Sequence, residues 1–282
     1  MDANGDNSAR LRVAVAQMDC VPGDKAANFE KAAGYIRQAA DEGAKLVVLS
    51  ELFTTGYRTE ESDAALAERI PGPTTKALAG IAREKDIVIV GCIIEKATRM
   101  ALYDASFLVG PGGYVAKYRK IHLWKGEETR FQRGRLLKPI KTGLGPVGLQ
   151  ICCDVRFPEA ARTLSLRGAR ILCYSAAFGK PRALAWDNQS RARALENGVF
   201  ALFAGRVGTE KDSVFNGHSR IVDPFGRVLV DLSEYVEGIA TADLELSHIE
   251  RARAEVSQLD DLVPEAYSLT GAKARRGSPA KR

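Results

Sequence analysis

Residues 11–17, LRVAVAQ, and residues 45–50, KLVVLS, are two apolar runs with the residue types of buried β-strands. Between them, residues 25–42 repeat apolar side chains every three to four positions, which is the spacing of an amphipathic α-helix. A second helix-like segment at 74–85 and a third apolar run, IVIVGCII at 87–94, follow in the same order. This alternation of strand and helix predicts an α/β fold.

Two short turns indicate that the sheet is not purely parallel. GPGG at 110–113 joins two apolar runs, and DPFG at 223–226 resembles a second turn of this kind. Because such turns connect antiparallel strands, we expect mixed sheets with helices outside them. The remaining predicted strands lie at 102–109, 114–119, 147–152, 170–174, 199–204, 218–222 and 227–230, and further helices at 157–167 and 182–197.

The composition, 45% hydrophobic and 27% charged, is ordinary for a soluble globular protein. No apolar run approaches the ~20 residues that cross a bilayer, and the polar N-terminus does not resemble a secretory signal. The five cysteines are odd in number and lack zinc-binding spacing, which is typical of free thiols in a reducing compartment. These observations predict a cytoplasmic protein that neither binds a membrane nor carries a metal.

The 282 residues contain no internal repeat and no linker rich in Pro, Gly or Ser. We therefore predict one domain over 10–269, preceded by a disordered N-terminus at 1–9 and followed by a basic, disordered tail at 270–282. Much of the net charge of +6 lies in that tail, whose last twelve residues are GAKARRGSPAKR. The charge therefore does not predict a nucleic-acid partner.

Three reactive side chains stand where apolar runs end: Glu51, Lys120 and Cys152. The carboxyl ends of strands are where ligand sites gather in open α/β sheets. A thiol has a reference pKa of ~8.5, so it needs a base such as a nearby carboxylate to take its proton. A lysine ammonium and the N–H of Cys153 can stabilise the oxyanion that follows. The trio predicts acyl transfer with Cys152 as nucleophile, and this chemistry requires no cofactor.

Four segments, in this order, carry a family resemblance: SELFTTGY (50–57), YRKIHL (118–123), ICCDVRFPE (151–159) and RARALENGVF (191–200). From about residue 11 to about residue 242, the chain resembles the nitrilase, or carbon–nitrogen hydrolase, superfamily. The resemblance implies a four-layer α-β-β-α sandwich with Glu51, Lys120 and Cys152 as the catalytic set. It also implies a second glutamate after the lysine. Glu127 and Glu128 are both candidates, and the spacing to the next aromatic residue favours Glu127.

The residue after the nucleophile is unusual. The family has an aromatic residue or Asn there, whereas this chain has Cys153, so the pattern favours Cys152 over Cys153 as the nucleophile. The next six residues, DVRFPE (154–159), resemble the amidase and carbamoylase branches more than the Trp-Glu of nitrile-cleaving members. The resemblance predicts hydrolysis of a small linear amide or N-carbamoyl compound through a Cys thioester, with release of ammonia or an amine. The alternatives are a nitrilase and a non-catalytic scaffold.

Positions in the family imply six substrate contacts, namely Tyr57, Cys153, Arg156, Ala177, Phe178 and Trp186. Arg156 has two interpretations. It matches an arginine that binds a substrate carboxylate in carbamoyl-amino-acid hydrolases, and it also stands close enough in sequence to Asp154 and Glu159 to form an ion pair.

Other positions near the motifs are assigned no catalytic role. His122 is expected to pack or hydrogen-bond beside Lys120, and Trp124 to be an ordinary packing residue. Asp104 and Gly205 each replace an Asn of the family, which alters the polar lining of the site or its supports.

The resemblance also implies self-association. Members of the family associate through the helices after the nucleophile and near the C-terminus, and the segments 157–167 and 182–197 have apolar faces suited to such contacts. We therefore expect a homodimer or a higher even-numbered oligomer. The expected partner is otherwise a small-molecule amide.

Overall fold

The computed structural model describes residues 10–267, so the predictions of a disordered N-terminus and of a basic tail lie outside the described residues. The first half of the chain runs through five strands and three helices. These are β1 (Arg10–Gln17), α1 (Lys25–Asp41), β2 (Leu46–Val48), α2 (Asp63–Leu66), α3 (Pro73–Lys85), β3 (Val88–Thr98), β4 (Ala101–Gly110) and β5 (Gly113–Arg119).

The second half repeats the alternation of strand and helix and then adds antiparallel strands. Its elements are β6 (Ile140–Thr142), β7 (Gly145–Ile151), α4 (Pro158–Leu166), β8 (Ile171–Ala176), α5 (Ala183–Leu195), β9 (Phe200–Gly205), β10 (Thr209–Glu210), β11 (Ser213–Val214), β12 (Arg220–Val222), β13 (Val228–Asp231), β14 (Gly238–Glu245) and α6 (Ser247–Glu255).

Two six-stranded mixed sheets form the centre of the fold. The first has the order β14-β1-β2-β3-β4-β5 and the second the order β13-β12-β9-β8-β7-β6. Strands β1, β2 and β3 are parallel, as are β7, β8 and β9, and the other pairs are antiparallel. The two predicted turns connect β4 to β5 and β12 to β13, so both predicted hairpins are confirmed.

Alternating side chains of each central strand serve two cores. Val13 and Val15 of β1 face a core shared with Leu149 of β7, between the sheets. The intervening Ala14 of β1 packs in a second core with Ile36 of α1 and with residues of α3. On the far side, the α-helices α4 and α5 cover the second sheet, as the close approach of Gly148 to Leu164 illustrates. The predicted four-layer α-β-β-α sandwich is confirmed.

The sequence patterns missed the edge strands β6 and β14 and the terminal helix α6. Strand β14 pairs with β1 along its whole length, from Gly238 opposite Gln17 to Glu245 opposite Arg10. Its sequence, GIATADLE, mixes apolar and charged residues because much of the strand is partly exposed. Within residues 10–267, no helix is long and apolar enough to span a membrane.

Candidate active site

Four buried side chains meet at the carboxyl end of the first sheet. Lys120 follows β5 directly, and its Nζ lies 2.6 Å from Glu51 Oε1, 2.8 Å from Glu127 Oε1 and 3.0 Å from Asp104 Oδ2. Glu51 follows β2, Asp104 belongs to β4, and Glu127 opens the 3₁₀ turn Glu127–Thr129. The chain has brought together residues 76 positions apart because parallel strands end at the same edge of the sheet.

Each carboxylate of this cluster has further donors. The peptide N–H of Ala177, just past β8, donates to Glu51 Oε2 over 2.6 Å. The hydroxyl of Tyr57 donates to Glu127 Oε1 over 2.6 Å, and the N–H of Trp124 donates to Glu127 Oε2 over 2.7 Å. The second sheet and the loop after Glu51 therefore hold the acids in place.

Burial and mutual repulsion set the protonation behaviour of the cluster. Burial raises the pKa of Glu51 well above its usual value, and the carboxylates Asp104 and Glu127 raise it further, while the ammonium of Lys120 opposes the shift. For Lys120, burial alone would lower the pKa, but the surrounding carboxylates prevail and raise it well above its usual value. Lys120 is therefore a permanent cation, and Glu51 is a carboxyl group with unusual affinity for a proton.

Cys152 stands on a strained turn at the end of β7. Its φ of 38° is in the left-handed region that side chains rarely occupy, and it begins the 3₁₀ helix Cys152–Arg156. The carboxylate of Asp154 supports this turn, since it accepts hydrogen bonds from the N–H of Ile151 at 3.0 Å and from the hydroxyl of Tyr118 at 2.7 Å. It also lies 2.7 Å from the ring Nδ1 of His122. The turn aims the thiol away from the strand direction.

Both adjacent thiols are held in the protonated form. Burial raises the pKa of Cys152 well above its usual value, with a further contribution from the charge of Glu51, while Lys120 opposes the shift. Burial also raises the pKa of Cys153, to about 11. A base is therefore needed to generate either thiolate at neutral pH.

A cavity of about 70 Å³ opens beside Cys152. Aromatic rings and one cation form much of its wall, since the guanidinium carbon of Arg182 lies 4.2 Å from the ring centre of Trp124 and 5.6 Å from that of Phe178. Arg182 lines this cavity, and within residues 10–267 its side chain forms no salt bridge. The lining residues are Tyr57, Trp124, Cys152, Cys153, Ala177, Phe178, Gly179, Arg182, Ser213 and Phe215.

A second buried ion pair fixes the loop that carries Tyr57. Arg206, which follows β9, pairs with Glu210 over 2.6 Å. The other oxygen of Glu210 accepts the N–H groups of Tyr57 at 2.9 Å and Arg58 at 2.8 Å. Because both members are almost fully buried, the pair places the Tyr57 hydroxyl accurately against Glu127.

The model of the family described as carbon-nitrogen hydrolase matches residues 12–254. The chain belongs to the carbon–nitrogen hydrolase family. This hydrolase is 38% identical to a protein of Pyrococcus abyssi named nitrilase, over 256 residues that cover 89% of this chain and 95% of that one. It is also 34% identical to the omega-amidase NIT2 of Xenopus tropicalis, over 260 residues that cover 88% and 93% of the two chains.

The fold is also that of a solved member of the nitrilase superfamily. The crystal structure of Saccharomyces cerevisiae Nit3 aligns with this hydrolase at a TM-score of 0.83 and 30% sequence identity, covering 92% of this chain and 97% of that one. The resemblance identified from the four motifs is thereby confirmed.

The structure separates the predicted contact residues of this hydrolase into two groups. Tyr57, Cys153, Ala177 and Phe178 line the cavity. Trp186 does not, because its ring is fully buried 5.0 Å behind that of Phe178, with Nε1 donating to the carbonyl of His218 over 3.0 Å. The predicted contact of Trp186 with substrate is thus replaced by a packing role.

Arg156 matches neither of its two interpretations in this geometry. It is exposed and absent from the cavity wall, with its guanidinium carbon 5.4 Å from the ring centre of Trp124. It also forms no salt bridge with Asp154 or Glu159 in residues 10–267, because the Asp154 carboxylate is already surrounded by the donors of the Cys152 turn.

Sequence reasoning assigned no direct site role to several residues that the hydrolase places at its site, among them the cavity-lining Gly179, Ser213 and Phe215. Asp104 contacts Lys120 directly, and Trp124 lines the cavity rather than only packing. Arg182 was not singled out at all. The signal for Asp104 was present, since the hairpin turn between β4 and β5 places it beside Lys120, whose N–H donates to the Asp104 carbonyl over 2.9 Å.

The candidate site already contains its cation. The carboxylates of Glu51, Asp104 and Glu127 have oxygens within 4.8 Å of one another. The ammonium of Lys120 stands among them, so these oxygens are engaged by a side chain of the same protein. His122 stacks on Phe157 at 3.7 Å between ring centres and pairs with Asp154, which is the packing and hydrogen-bonding position predicted for it.

Proposed function

We propose that this hydrolase cleaves the carbon–nitrogen bond of a small linear amide by nucleophilic attack of Cys152. The observation that carries the proposal is the strained turn that presents Cys152 to a small cavity, beside the buried Glu51–Lys120 ion pair. The family supports the reaction class, and the geometry offers Cys152 as a nucleophile with a buried carboxyl group and an ammonium whose charges act on it.

In the first half of the reaction, Glu51 takes the proton of the Cys152 thiol as sulfur attacks the amide carbon. The resulting oxyanion is stabilised by the ammonium of Lys120 and by the N–H of Cys153, which lies in the first turn of the 3₁₀ helix where N–H groups lack helical partners. Glu51 then returns the proton to the nitrogen. The carbon–nitrogen bond breaks, ammonia or an amine leaves, and a thioester remains on Cys152.

In the second half, water attacks the thioester carbon while Glu51 takes one of its protons. The carbon–sulfur bond breaks, the acid is released, and the sulfur recovers the proton from Glu51. The raised pKa of Glu51 suits both steps, because a stronger base removes the proton of a thiol or water more readily.

The cavity favours a short substrate with an anionic substituent. Trp124, Phe178 and Phe215 offer apolar walls to a small acyl group, and Arg182 lines the same cavity. A guanidinium binds a carboxylate through paired hydrogen bonds, so an amide with a carboxylate at its other end fits these groups. The name omega-amidase of one relative supports the same substrate class. An N-carbamoyl acid presents similar chemistry.

The proposed function is tested by measuring ammonia release from four matched panels, namely neutral short amides, monoamides of short dicarboxylic acids, N-carbamoyl amino acids and nitriles. We expect turnover of amides, with the anionic monoamides preferred. Cys152→Ala should abolish it, and Arg182→Gln should raise KM for anionic amides about tenfold while sparing neutral ones. Turnover confined to nitriles would instead favour the nitrilase that the name of the Pyrococcus relative suggests.

We also propose that the hydrolase self-associates and acts in the cytoplasm. Leu166 of α4 and Leu184 and Leu195 of α5 are exposed, which supports the predicted interface through these helices. All five cysteines are free thiols, as a reducing compartment requires. Light scattering after size exclusion is expected to give an even-numbered oligomer, and Leu184→Lys to dissociate it. A wild-type monomer would refute the interface.

A further inference from the structure

Asp104 occupies a place in the charge cluster that the proposed mechanism does not use. An ammonium has three N–H donors, and those of Lys120 are matched by three acceptors, on Glu51, Glu127 and Asp104. Asp104 is fully buried on β4, and its second oxygen, Oδ1, lies 3.1 Å from the Cys92 Sγ that donates to it. The residue is therefore held by two neighbours, with a carboxylate oxygen within 4.8 Å of one of Glu51.

The cluster carries more acid than base. Three buried carboxyl groups surround one ammonium, and full ionisation would leave two uncompensated negative charges in a buried site. Buried charges of this kind take up protons. The titratable groups that influence Glu51 are Lys120 after β5, Asp104 on β4, Glu127 in the 3₁₀ turn, Cys152 after β7, Cys92 on β3 and Tyr57 in the loop after β2.

The three acids all face donors, since Glu51 also accepts hydrogen bonds, from Lys120 and from the N–H of Ala177. The two oxygens of Glu127 accept from Tyr57, Trp124 and Lys120. Asp104 accepts from Lys120 and Cys92, so both of its oxygens also face donors. Glu51 lies beside both of these negative groups, with carboxylate oxygens of the three within 4.8 Å of one another. Burial, together with repulsion from these two carboxylates, raises the pKa of Glu51.

We propose that Asp104 is a positioning residue whose carboxylate, held against Lys120, makes Glu51 a stronger base and thereby sets the lower pH limit of the reaction. This inference rests on the proposed role of Glu51. A neighbouring negative charge favours the protonated form of Glu51, so Glu51 accepts the proton of Cys152 more readily. Because the same charge raises the pH at which Glu51 loses its proton, Glu51 can act as a base only above a higher pH than it could without Asp104.

The test is the pH profile of kcat/KM in the full chain with Asp104→Asn, which removes the charge and keeps an oxygen for Lys120. The acidic limb should move to lower pH by about one to two pH units, the range for loss of one close like charge. The plateau should fall because Glu51 becomes a weaker base. A merely structural role would lower activity at every pH and leave the limb in place. A limb displaced by less than about 0.3 pH unit would overturn the proposal, since the loss of a close like charge is expected to move it further.

Alkylation of Cys152 by iodoacetamide, followed by mass mapping of the labelled peptide, provides a measurement that needs no substrate. The acidic limb of the labelling rate should also move to lower pH in Asp104→Asn, because the Cys152 thiolate forms as Glu51 takes the proton. If no amide were turned over, this result would still decide the role of Asp104, so failure of the proposed function is distinguishable. Cys92→Ser is the control, since it keeps a donor to Asp104 and the charge, and its limb should not move. If Asp104→Asn does not fold, Asp104→Ser should give the same shift, and an unmoved limb there overturns the proposal.

Discussion

The two sheets have the same strand pattern and carry different chemistry. In the first sheet, the helices α1 and α3 connect three parallel strands, β1 to β3, and in the second sheet α4 and α5 connect β7 to β9. Each parallel set is flanked by one strand on one side and by two on the other, and each flanking strand pairs antiparallel with its neighbours. The middle strand of each parallel set is β2 in the first sheet and β8 in the second. Glu51 follows β2 and Ala177 follows β8, and the N–H of Ala177 donates a hydrogen bond to Glu51.

The difference lies in where the charge is. The first sheet contributes Glu51, Asp104 and Lys120, all fully buried. The second contributes the thiol of Cys152 and the backbone N–H of Ala177. Buried charges need partners close by, and Lys120 supplies one cation to the carboxylates at this sheet end. The strained turn of the second sheet presents a thiol to this cluster rather than a further charge. The comparison predicts that the first sheet's residues stabilise the fold and that the second sheet's nucleophile does not.

The largest expected effect separates these two roles. Lys120→Met leaves three acids without a cation, so we expect loss of activity and a decrease of about 3–5 kcal/mol in the free energy of unfolding. Cys152→Ala should also abolish turnover but change the free energy of unfolding by less than about 1 kcal/mol, because no charge or large side chain is lost. Urea titrations followed by circular dichroism measure both.

The stability of Lys120→Met should also depend on pH. The pKa of Glu51 is already raised by burial, and without the ammonium it rises further. A carboxyl with a higher pKa in the folded than in the unfolded chain makes stability fall as pH rises through the folded value. The deficit should therefore be larger at pH 8 than at pH 6. Lys31→Met, which breaks a partly exposed pair with Glu237, is the control and should cost less than about 1 kcal/mol at either pH. An equal cost for both lysines would contradict the comparison.

A smaller effect is expected at the edge of the charge cluster. Tyr57→Phe removes the donor that lies 2.6 Å from Glu127 Oε1 and leaves the ring in place. A hydrogen bond to a charged group contributes about 1.5–3 kcal/mol, so kcat/KM should fall by about 10- to 100-fold. Tyr114→Phe, in the exposed part of β5, is the matched control and should leave kcat/KM unchanged. An unaffected Tyr57→Phe would show that Glu127 does not depend on this donor.

The comparison also explains what the sequence revealed. Glu51, Lys120 and Cys152 were predictable because each directly follows an apolar run, and strand ends converge in an α/β sheet. The two hairpin turns were predictable because GPGG and DPFG are local signals. Strand β14 was not, because its partner is β1, more than 200 positions away, and its own residues are only partly buried.

The roles of the side chains around the cavity were harder to predict, because they depend on whether each side chain lines the cavity or packs behind its wall. Trp124 and Trp186 are both aromatic residues near motifs, yet the first lines the cavity and the second packs behind it. No periodicity of the surrounding sequence distinguishes them. Arg182 follows a Gly-Lys-Pro loop, and its orientation depends on stacking against Trp124, which is 58 positions away. Such contacts are set by tertiary packing.

The two tryptophans therefore offer a matched pair of substitutions. Trp186→Phe removes buried surface and the hydrogen bond to His218, so we expect about 1–3 kcal/mol less stability and turnover within about threefold of wild type. Trp124→Phe should instead raise KM several-fold, because the cavity wall and the stacking surface of Arg182 change. Urea titration and steady-state kinetics on one anionic amide separate the two. A raised KM in Trp186→Phe with normal stability would return that residue to the substrate site.

The smallest effect is expected at the second thiol. Cys153 lines the cavity, but burial raises its pKa to about 11, so its thiolate fraction at neutral pH is on the order of one in ten thousand. Cys153→Ala should therefore keep turnover within about twofold of wild type. In the Cys152→Ala protein, iodoacetamide should label Cys153 slowly at pH 7 and about tenfold faster for each pH unit toward 11, since a raised thiol pKa moves thiolate formation to higher pH. Rapid labelling of Cys153 at neutral pH, together with turnover by Cys152→Ala, would assign the nucleophile to Cys153. Glu51 would then have to act on the thiol of Cys153, one position further along the turn. The N–H of Cys153, which the proposed mechanism assigns to the oxyanion, would lie between the two groups.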